Sequence, residues 1–386
     1  MKDFLFQIPH RIEVGFSKSN EIVNIVKEME LKRILLVVDN KIKSIGLIDP
    51  IIQNLKDNDI TFSIFDEIKS EPTISEVDQA IDYLNIASNF DVVIGIGGGS
   101  TIDVAKVIAI SSSFSGSIKN YIGTDLIDKR GVSMIMVPTT SGTGAEVTPN
   151  AVVRDEEEEC KKALVSPFLI PELVILDPEL TISLPPKITA ETGIDAFTHS
   201  VECFICNKSN AMSDLFALDS IRMISRNLRR AVENGNDREA RYNMALASLY
   251  GGIAITNSGT GGVHALAYPL GGKYGLSHGL SNSILLADVI EFNAETVPEK
   301  FVRIANAMGI ETIKLSQERV VSSALVEIRK LVDDVGIRVE NFEVSEQVID
   351  DLSKSAMSVQ RLLKNNPRPI KYEDARRIYR RALLIK

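Results

Sequence analysis

The first half of the chain alternates continuous apolar runs of strand length with amphipathic helical segments, and this alternation restricts the fold more than any other feature. The runs are RILLVVD (33–39), TFSIFD (61–66), DVVIGIG (91–97), SMIMVP (133–138) and LVILDP (173–178). A strand with one face in water alternates apolar and polar residues. These runs do not, so both of their faces must be covered. ISEVDQAIDYLNIAS and TIDVAKVIAIS lie between them with the three-and-four apolar spacing of helices. The pattern predicts a mainly parallel sheet with helices on both faces.

After LVILDP the stretch LTISLPP reaches Pro185 and Pro186, a natural boundary, and the residues beyond it read as helix. SDLFALDSIRMISRNLRRAVENG keeps helical spacing, and Gly235 suits a left-handed C-terminal cap. DREARYNMALASLYGGIAI, PEKFVRIANAMGI and SSALVEIRKLVDDVGI obey the same rule. A chain of 386 residues also exceeds what one core comfortably serves. The expected organisation is an α/β Rossmann-like dinucleotide-binding domain over 1–183 and an all-α domain over 184–386. No internal repeat stands out, and DEEEE at 155–159 reads as a solvated turn.

A net charge of -9 argues against nucleic acid, whose phosphates need a basic surface. No stretch approaches the ~20 apolar residues of a membrane span. The opening MKDFLFQIPHRIEVGF has a short apolar patch broken by Gln7 and Pro9, which argues against a secretory signal. Three cysteines cannot build a disulfide framework, and the odd number suits a reducing, cytoplasmic setting. Cys203 and Cys206 form a C-x-x-C without a second pair, on an apolar helical pattern, and read as buried, inert thiols.

The strand DVVIGIG runs straight into GGSTIDVAK, placing Gly95, Gly97, Gly98 and Gly99 before Ser100. Glycines let backbone approach a pyrophosphate, and the adjoining helix offers unpaired N–H groups and a positive dipole end. Ser100 is a possible cap for that helix, with Asp103 three positions on. A tight structural turn would use the same residues, so this loop alone does not decide. A second loop, VPTTSGTGAEVT, crowds the hydroxyls of Thr139, Thr140, Ser141 and Thr143 beside Gly142 and Gly144. Loops at the carboxyl ends of parallel strands are where open α/β sheets bind ligands, and two of them favour a nucleotide. Asp39 ends RILLVVD, where an acidic side chain can accept from an adenosine ribose or simply cap a turn.

Three of the four histidines lie in the second half. Asp195 and His199, four apart in ETGIDAFTHSVE, share a helix face. His264 and His278 sit among glycines in GGVHALAYPLGGKYGLSHG. One carboxylate and three imidazoles suit iron or zinc and not magnesium or calcium. With a divalent ion the set would carry about +1, a favourable setting for an alcohol oxygen as alkoxide. The spacing alone leaves open whether these four residues converge.

Taken together, GGGSTIDVAK, PTTSGTGAEVT, LIPELVILDPELTISLPPKITAETGIDAFTHSVE, HALAYPLGG with SHGLSNSILL, and NNPRPIKYEDARRIYRRAL resemble the iron-dependent (group III) alcohol dehydrogenase family. The resemblance covers nearly the whole chain. It implies the dehydroquinate synthase-like fold: a Rossmann-like N-terminal domain, a helical C-terminal domain and a cleft between them. It implies Asp195, His199, His264 and His278 as metal ligands, for iron(II) first and zinc(II) second. It implies Gly97, Gly98, Gly99 and Ser100 as the pyrophosphate loop, with Asp103, Thr139, Thr140, Thr143 and Lys161 as further cofactor contacts. Asp39 falls where the family's NAD preference resides. Three positions depart: Thr101 replaces a common proline, Glu71 a common asparagine, and Tyr268 the second histidine of H-x-x-x-H. That histidine lies near the reaction centre, so the proton path is open; Tyr268 is expected to shape the pocket more than to relay protons.

The expectation is therefore a metal-dependent enzyme linked to NAD, with NADP second, that oxidises a small alcohol or reduces an aldehyde, as a homodimer or larger homo-oligomer. Alternatives are a dehydroquinate synthase-like lyase, a glycerol dehydrogenase-like NAD and metal enzyme, and a non-catalytic cofactor-binding module. The lyase handles a phosphorylated substrate and wants a basic cluster, whereas the metal-binding stretches carry Lys273 and no arginine. Retention of all four ligand positions counts against the non-catalytic module.

Overall fold

The computed structural model describes residues 3–68, 72–84, 90–114, 116–157, 160–337 and 344–384. The chain divides into two compact bodies, one of residues 8–140 with 144–183, the other of residues 1–7, 141–143 and 184–386. Among the described residues no helix is long and apolar enough to cross a membrane.

The first body holds strands β1 (Arg11–Val14), β2 (Arg33–Val38), β3 (Thr61–Phe65), β4 (Val92–Gly97), β5 (Gly123–Thr124), β6 (Ser133–Pro138), β7 (Asn150–Asp155), β8 (Cys160–Val165) and β9 (Leu173–Leu176). Its α-helices are α1 (Ile22–Glu28), α2 (Asn40–Ser44), α3 (Asp49–Asp57), α4 (Ile74–Leu84) and α5 (Gly99–Ile110). Six strands make one sheet in the order β1-β9-β6-β4-β2-β3, every neighbouring pair parallel. The continuous apolar runs are explained by the two layers on it. Leu35, Val37 and Val93 pack with Val77 of α4 and Ile102 and Val107 of α5. Ile34, Leu36, Ile94 and Ile96 pack with Ile22 and Val26 of α1 and Ile51 and Leu55 of α3. Side chains of a strand alternate faces, so both sets must be apolar.

All five expected runs are strands of this sheet. Two features were not expected. The edge strand β1 is short, polar-interrupted and only half-buried. A second, three-stranded sheet pairs β7 antiparallel to β8 and β8 parallel to β5. Of DEEEE, residues 155–157 end β7 and begin the turn toward β8, while 158 and 159 lie outside the described residues. Chain reversal after β2 takes the next strand to one side, whereas β6 lies on the other side of β4. The switch point is therefore between β2 and β4, where open sheets bind ligands at the carboxyl ends.

The second body is helical: α6 (Pro186–Ile205), α7 (Ala211–Glu233), α8 (Arg238–Ser258), α9 (Gly262–Tyr274), α10 (His278–Ala294), α11 (Pro298–Ala307), α12 (Gln317–Asp334), α13 (Glu346–Ser358), α14 (Gln360–Leu363) and α15 (Tyr372–Leu384). From Gly193 to Ile205 every residue of α6 is buried, Asp195, Thr198, His199, Ser200 and Glu202 among them, so it is the central helix. Its core partners include Ile221 and Leu228 of α7, Met244 of α8, Leu285 of α10 and Phe301 of α11. The expected cap at Gly235 is absent. α7 ends at Asn234, an extended residue at φ -133° that still bonds Arg230 O, and Gly235 has no positive φ. An asparagine that leaves the helix in an extended conformation makes a left-handed glycine unnecessary.

Candidate metal centre and nucleotide loops

Buried polar groups need partners. On the buried stretch of α6, Thr198 and Ser200 find theirs in the carbonyls of Ile194 and Ala196, one turn back. Asp195, His199 and Glu202 are left to look outward from the helix, and each meets a side chain or loop of the same body.

His264 enters near the start of α9 and His278 is the first residue of α10. Pro269 interrupts α9 without ending it. The helix stops at Gly275, whose φ of +63° is a left-handed conformation that favours glycine, and Ser277 caps α10 through the Leu280 amide. This tight reversal brings His264 and His278 together, with ring centroids 5.2 Å apart. His199 stacks on His264 at 4.7 Å. The Asp195 Oδ1 atom lies 3.7 Å from both His199 Nε2 and His278 Nε2. One donor atom from each of Asp195, His199, His264 and His278 lies within 4.8 Å of all the others. Burial alone would push the Asp195 carboxyl up, but the three imidazoles and the Asn282 amide hold it below the usual carboxylate range. Burial pushes His199 down, toward the neutral imidazole that can ligate.

Three supporting groups were not found from sequence. Glu202 accepts from His264 Nδ1 at 2.5 Å and from the Val263 amide at 2.6 Å. His199 Nδ1 lies 3.3 Å from the Gly142 carbonyl. That approach needs glycine, since a Cβ at Gly142 would lie 2.7 Å from Thr192 Cβ and 3.0 Å from its carbonyl oxygen. Asn282 points its amide nitrogen at Asp195 Oδ1, His264 Nε2 and His278 Nε2. Glu202, three residues after His199, and Asn282, four after His278, share a helical face with a histidine of the cluster, and that spacing was the available signal. Tyr268 packs near the same cluster, its ring 6.5 Å from His264 and 5.9 Å from His278.

In the first body, Asp39 comes directly after β2 and donates its own amide to Ile96 O, while the Thr139 amide donates to Gly97 O. Asp39, the glycine loop and Thr139 are thus neighbours at the carboxyl edge of the sheet, at its switch point. Asp39 caps α2 by accepting from the Lys41 amide at 2.7 Å. The capping role expected of Ser100 belongs to Gly98, and Ser100 is already inside α5. No side chain caps α5, and the space above Gly98 is bounded by Thr140 at 3.5 Å. Asp103 accepts from the Val152 amide and is pushed up to about 6 by burial, against the pull of Lys106 and Lys161. Ser141 and Thr143 group with the helical body, and Glu71 lies outside the described residues. Cys203 and Cys206 are buried and form no disulfide, and burial raises both thiols.

A family model described as iron-containing alcohol dehydrogenase matches residues 9–178, and one described as the C-terminal part of the Fe-containing alcohol dehydrogenase family matches residues 189–383. Long-chain-alcohol dehydrogenase 1 of Geobacillus thermodenitrificans is 37% identical over 379 residues, covering 97% of this chain and 95% of that protein. The NAD-dependent methanol dehydrogenase of Bacillus methanolicus is 32% identical over 380 residues, covering 98% and 99%. A crystal structure of a 1,3-propanediol oxidoreductase superposes with a TM-score of 0.95 at 32% identity, over 99% of this chain and 100% of that one.

Proposed function

This chain belongs to the iron-containing alcohol dehydrogenase family, and from that premise we propose that it exchanges hydride between NAD and a small alcohol or aldehyde at iron(II) held by Asp195, His199, His264 and His278. The observation that carries the reading is the convergence of those four donors within 4.8 Å. Three imidazole nitrogens and one carboxylate oxygen fit iron or zinc and do not fit magnesium or calcium. When bound, such an ion would supply Lewis acidity to an alcohol or carbonyl oxygen, while NAD would accept the hydride from the alcohol or NADH would donate it to the aldehyde.

Residues 184–386 form the metal-binding catalytic portion in this reading. Glu202 fixes His264 with its proton on Nδ1, leaving the Nε2 lone pair for the ion. The Gly142 carbonyl does the same for His199. Residues 1–183 form the nucleotide-binding portion. The uncapped N-terminus of α5 at Gly97, Gly98, Gly99 and Ser100 receives the pyrophosphate through backbone amides and the helix dipole. Asp39 accepts from the ribose hydroxyls, which selects NAD over NADP. Asp103, Thr139, Thr140, Ser141, Thr143 and Lys161 supply further cofactor contacts, and Tyr268 shapes the substrate pocket. The same reading has the enzyme working in the cytoplasm as a homodimer or larger homo-oligomer, its cysteines free of disulfides.

The test reconstitutes the protein with iron(II) or zinc(II) and monitors NADH oxidation with a panel of aldehydes. Elemental analysis should find one ion per chain, and His264→Ala or His278→Ala should lose both the ion and turnover. Full activity after complete removal of metal would defeat the reading.

A further inference from the structure

We infer that Asn282 is a positioning residue of the metal centre, which holds Asp195, His264 and His278 in metal-ready form before an ion arrives. The inference deepens the metal reading above and rests on it. Asn282 is fully buried on α10, one turn beyond His278. Its Nδ2 lies 2.7 Å from Asp195 Oδ1 and 3.2 Å from both His264 Nε2 and His278 Nε2. Its Oδ1 is buried without a hydrogen-bond partner.

The orientation of the amide is set by chemistry. Turned over, the carbonyl oxygen would face the Asp195 carboxylate and two imidazole nitrogens. Glu202 accepts from His264 Nδ1, so Nε2 of a neutral His264 carries a lone pair and can only accept. Asn282 therefore donates. Its two hydrogens face three acceptors, the carboxylate at the shortest distance. All three acceptors are atoms that would ligate the ion. The amide thus selects the imidazole tautomers with Nε2 free of a proton and aims the Asp195 oxygen at the same point.

An ion at the four ligands takes the imidazole lone pairs, so Asn282 must surrender those two contacts on loading. A carboxylate oxygen has further lone-pair capacity, so the bond to Asp195 can persist. Two effects oppose each other. The amide competes weakly with the ion for the imidazoles, and it preorganises the ligands that the ion needs. Loss of such an outer partner costs on the order of tenfold to hundredfold in metal affinity, whereas a single shared neutral hydrogen bond is worth at most about tenfold the other way. Preorganisation should win.

The experiment compares wild type with Asn282→Ala and Asn282→Leu, the latter keeping the volume while removing the donor. Each is stripped of metal, checked by circular dichroism and thermal melting, and titrated with zinc(II) against a chromophoric chelator. The cobalt(II) forms are compared by visible absorption. Both variants should bind zinc on the order of tenfold to hundredfold more weakly, with altered cobalt bands. Asn282→Ser, which keeps one donor, should fall between and serves if the larger changes do not fold. Wild-type zinc affinity in folded Asn282→Leu, or tighter binding, overturns the inference. Failure of the wild-type protein itself to bind zinc or cobalt would overturn the metal reading instead.

Discussion

The carboxylate of Glu202 grips both the side chain and the helix of His264, accepting from His264 Nδ1 at 2.5 Å and from the Val263 amide at 2.6 Å. Asn366 adds a second hold, its Oδ1 accepting from the Gly262 amide at 3.1 Å. Gly261, the residue that precedes α9, has no side chain with which to cap the helix, so these two distant residues take that place. His264 and the N-terminus that presents it are thereby tied to one buried carboxyl group.

Replacing Glu202 with Gln should consequently weaken metal binding by on the order of tenfold to hundredfold. The amide can still accept from one of the two N–H groups, but it cannot satisfy both as an anion does. Chelator competition measures the loss, and thermal melting of the metal-free variant shows whether α9 loosens as well. Unchanged zinc affinity would remove Glu202 from the metal centre.

Asp39 sits beside the glycine loop, its amide on Ile96 O and its carboxylate capping α2. In the proposed nucleotide site, a 2′-phosphate on the adenosine ribose would be brought against this acidic side chain. The expected result is a higher kcat/KM with NAD than with NADP, and a smaller ratio in Asp39→Gly. Equal efficiencies with the two cofactors in the unmodified protein would sink this role.

Tyr268 stands edge-on to His264, with an interplanar angle of 83°, and nearer in centroid distance to His278. In the proposed mechanism, Lewis-acid activation of the substrate oxygen leaves little work for a separate base. Tyr268→Phe should therefore retain turnover within about tenfold, short of the ~10²–10⁴ that an acid–base group contributes. Turnover as a function of pH for both proteins is the measurement. A thousandfold loss with metal and NAD still bound would make Tyr268 the proton carrier.

Glu146 lies in the loop after β6, buried with its Oε1 unpartnered, and burial pushes it up to about 7 against the pull of Lys106. A raised carboxyl favours the folded state while it keeps its proton. That contribution is complete below about 4.5 and is lost as pH rises through about 7. Melting temperature should accordingly fall from pH 5 to pH 8 more steeply in wild type than in Glu146→Gln. At pH 8 the variant should be the more stable by up to ~3 kcal/mol, and at pH 5 the two should nearly coincide. Parallel melting profiles across that range would show that Glu146 does not ionise there.

Local pattern was enough for the layered sheet and for the helical second half. The five apolar runs are strands because a strand covered on both faces has no polar side to show, and that requirement is written in consecutive residues. Asp195 and His199 were legible as a pair for the same reason, since four residues along a helix is a fixed distance. The strands β7 and β8 were missed because half-buried strands outside the main sheet alternate only weakly. Ser100 and Gly235 were misread as caps because several residues near a helix end can serve, and backbone conformation chooses among them.

Only the tertiary structure decided that His264 and His278 reach Asp195 and His199, and that Glu202, Gly142 and Asn282 attend them. Those distances depend on a left-handed turn at Gly275 and on the packing of α9 and α10 against α6, across 62 positions between Glu202 and His264 alone. Packing of that kind sums many weak contacts over the whole helical body, and no single residue carries its result. The sequence determined which groups would be buried and in need of partners; the folded chain decided which partners they received.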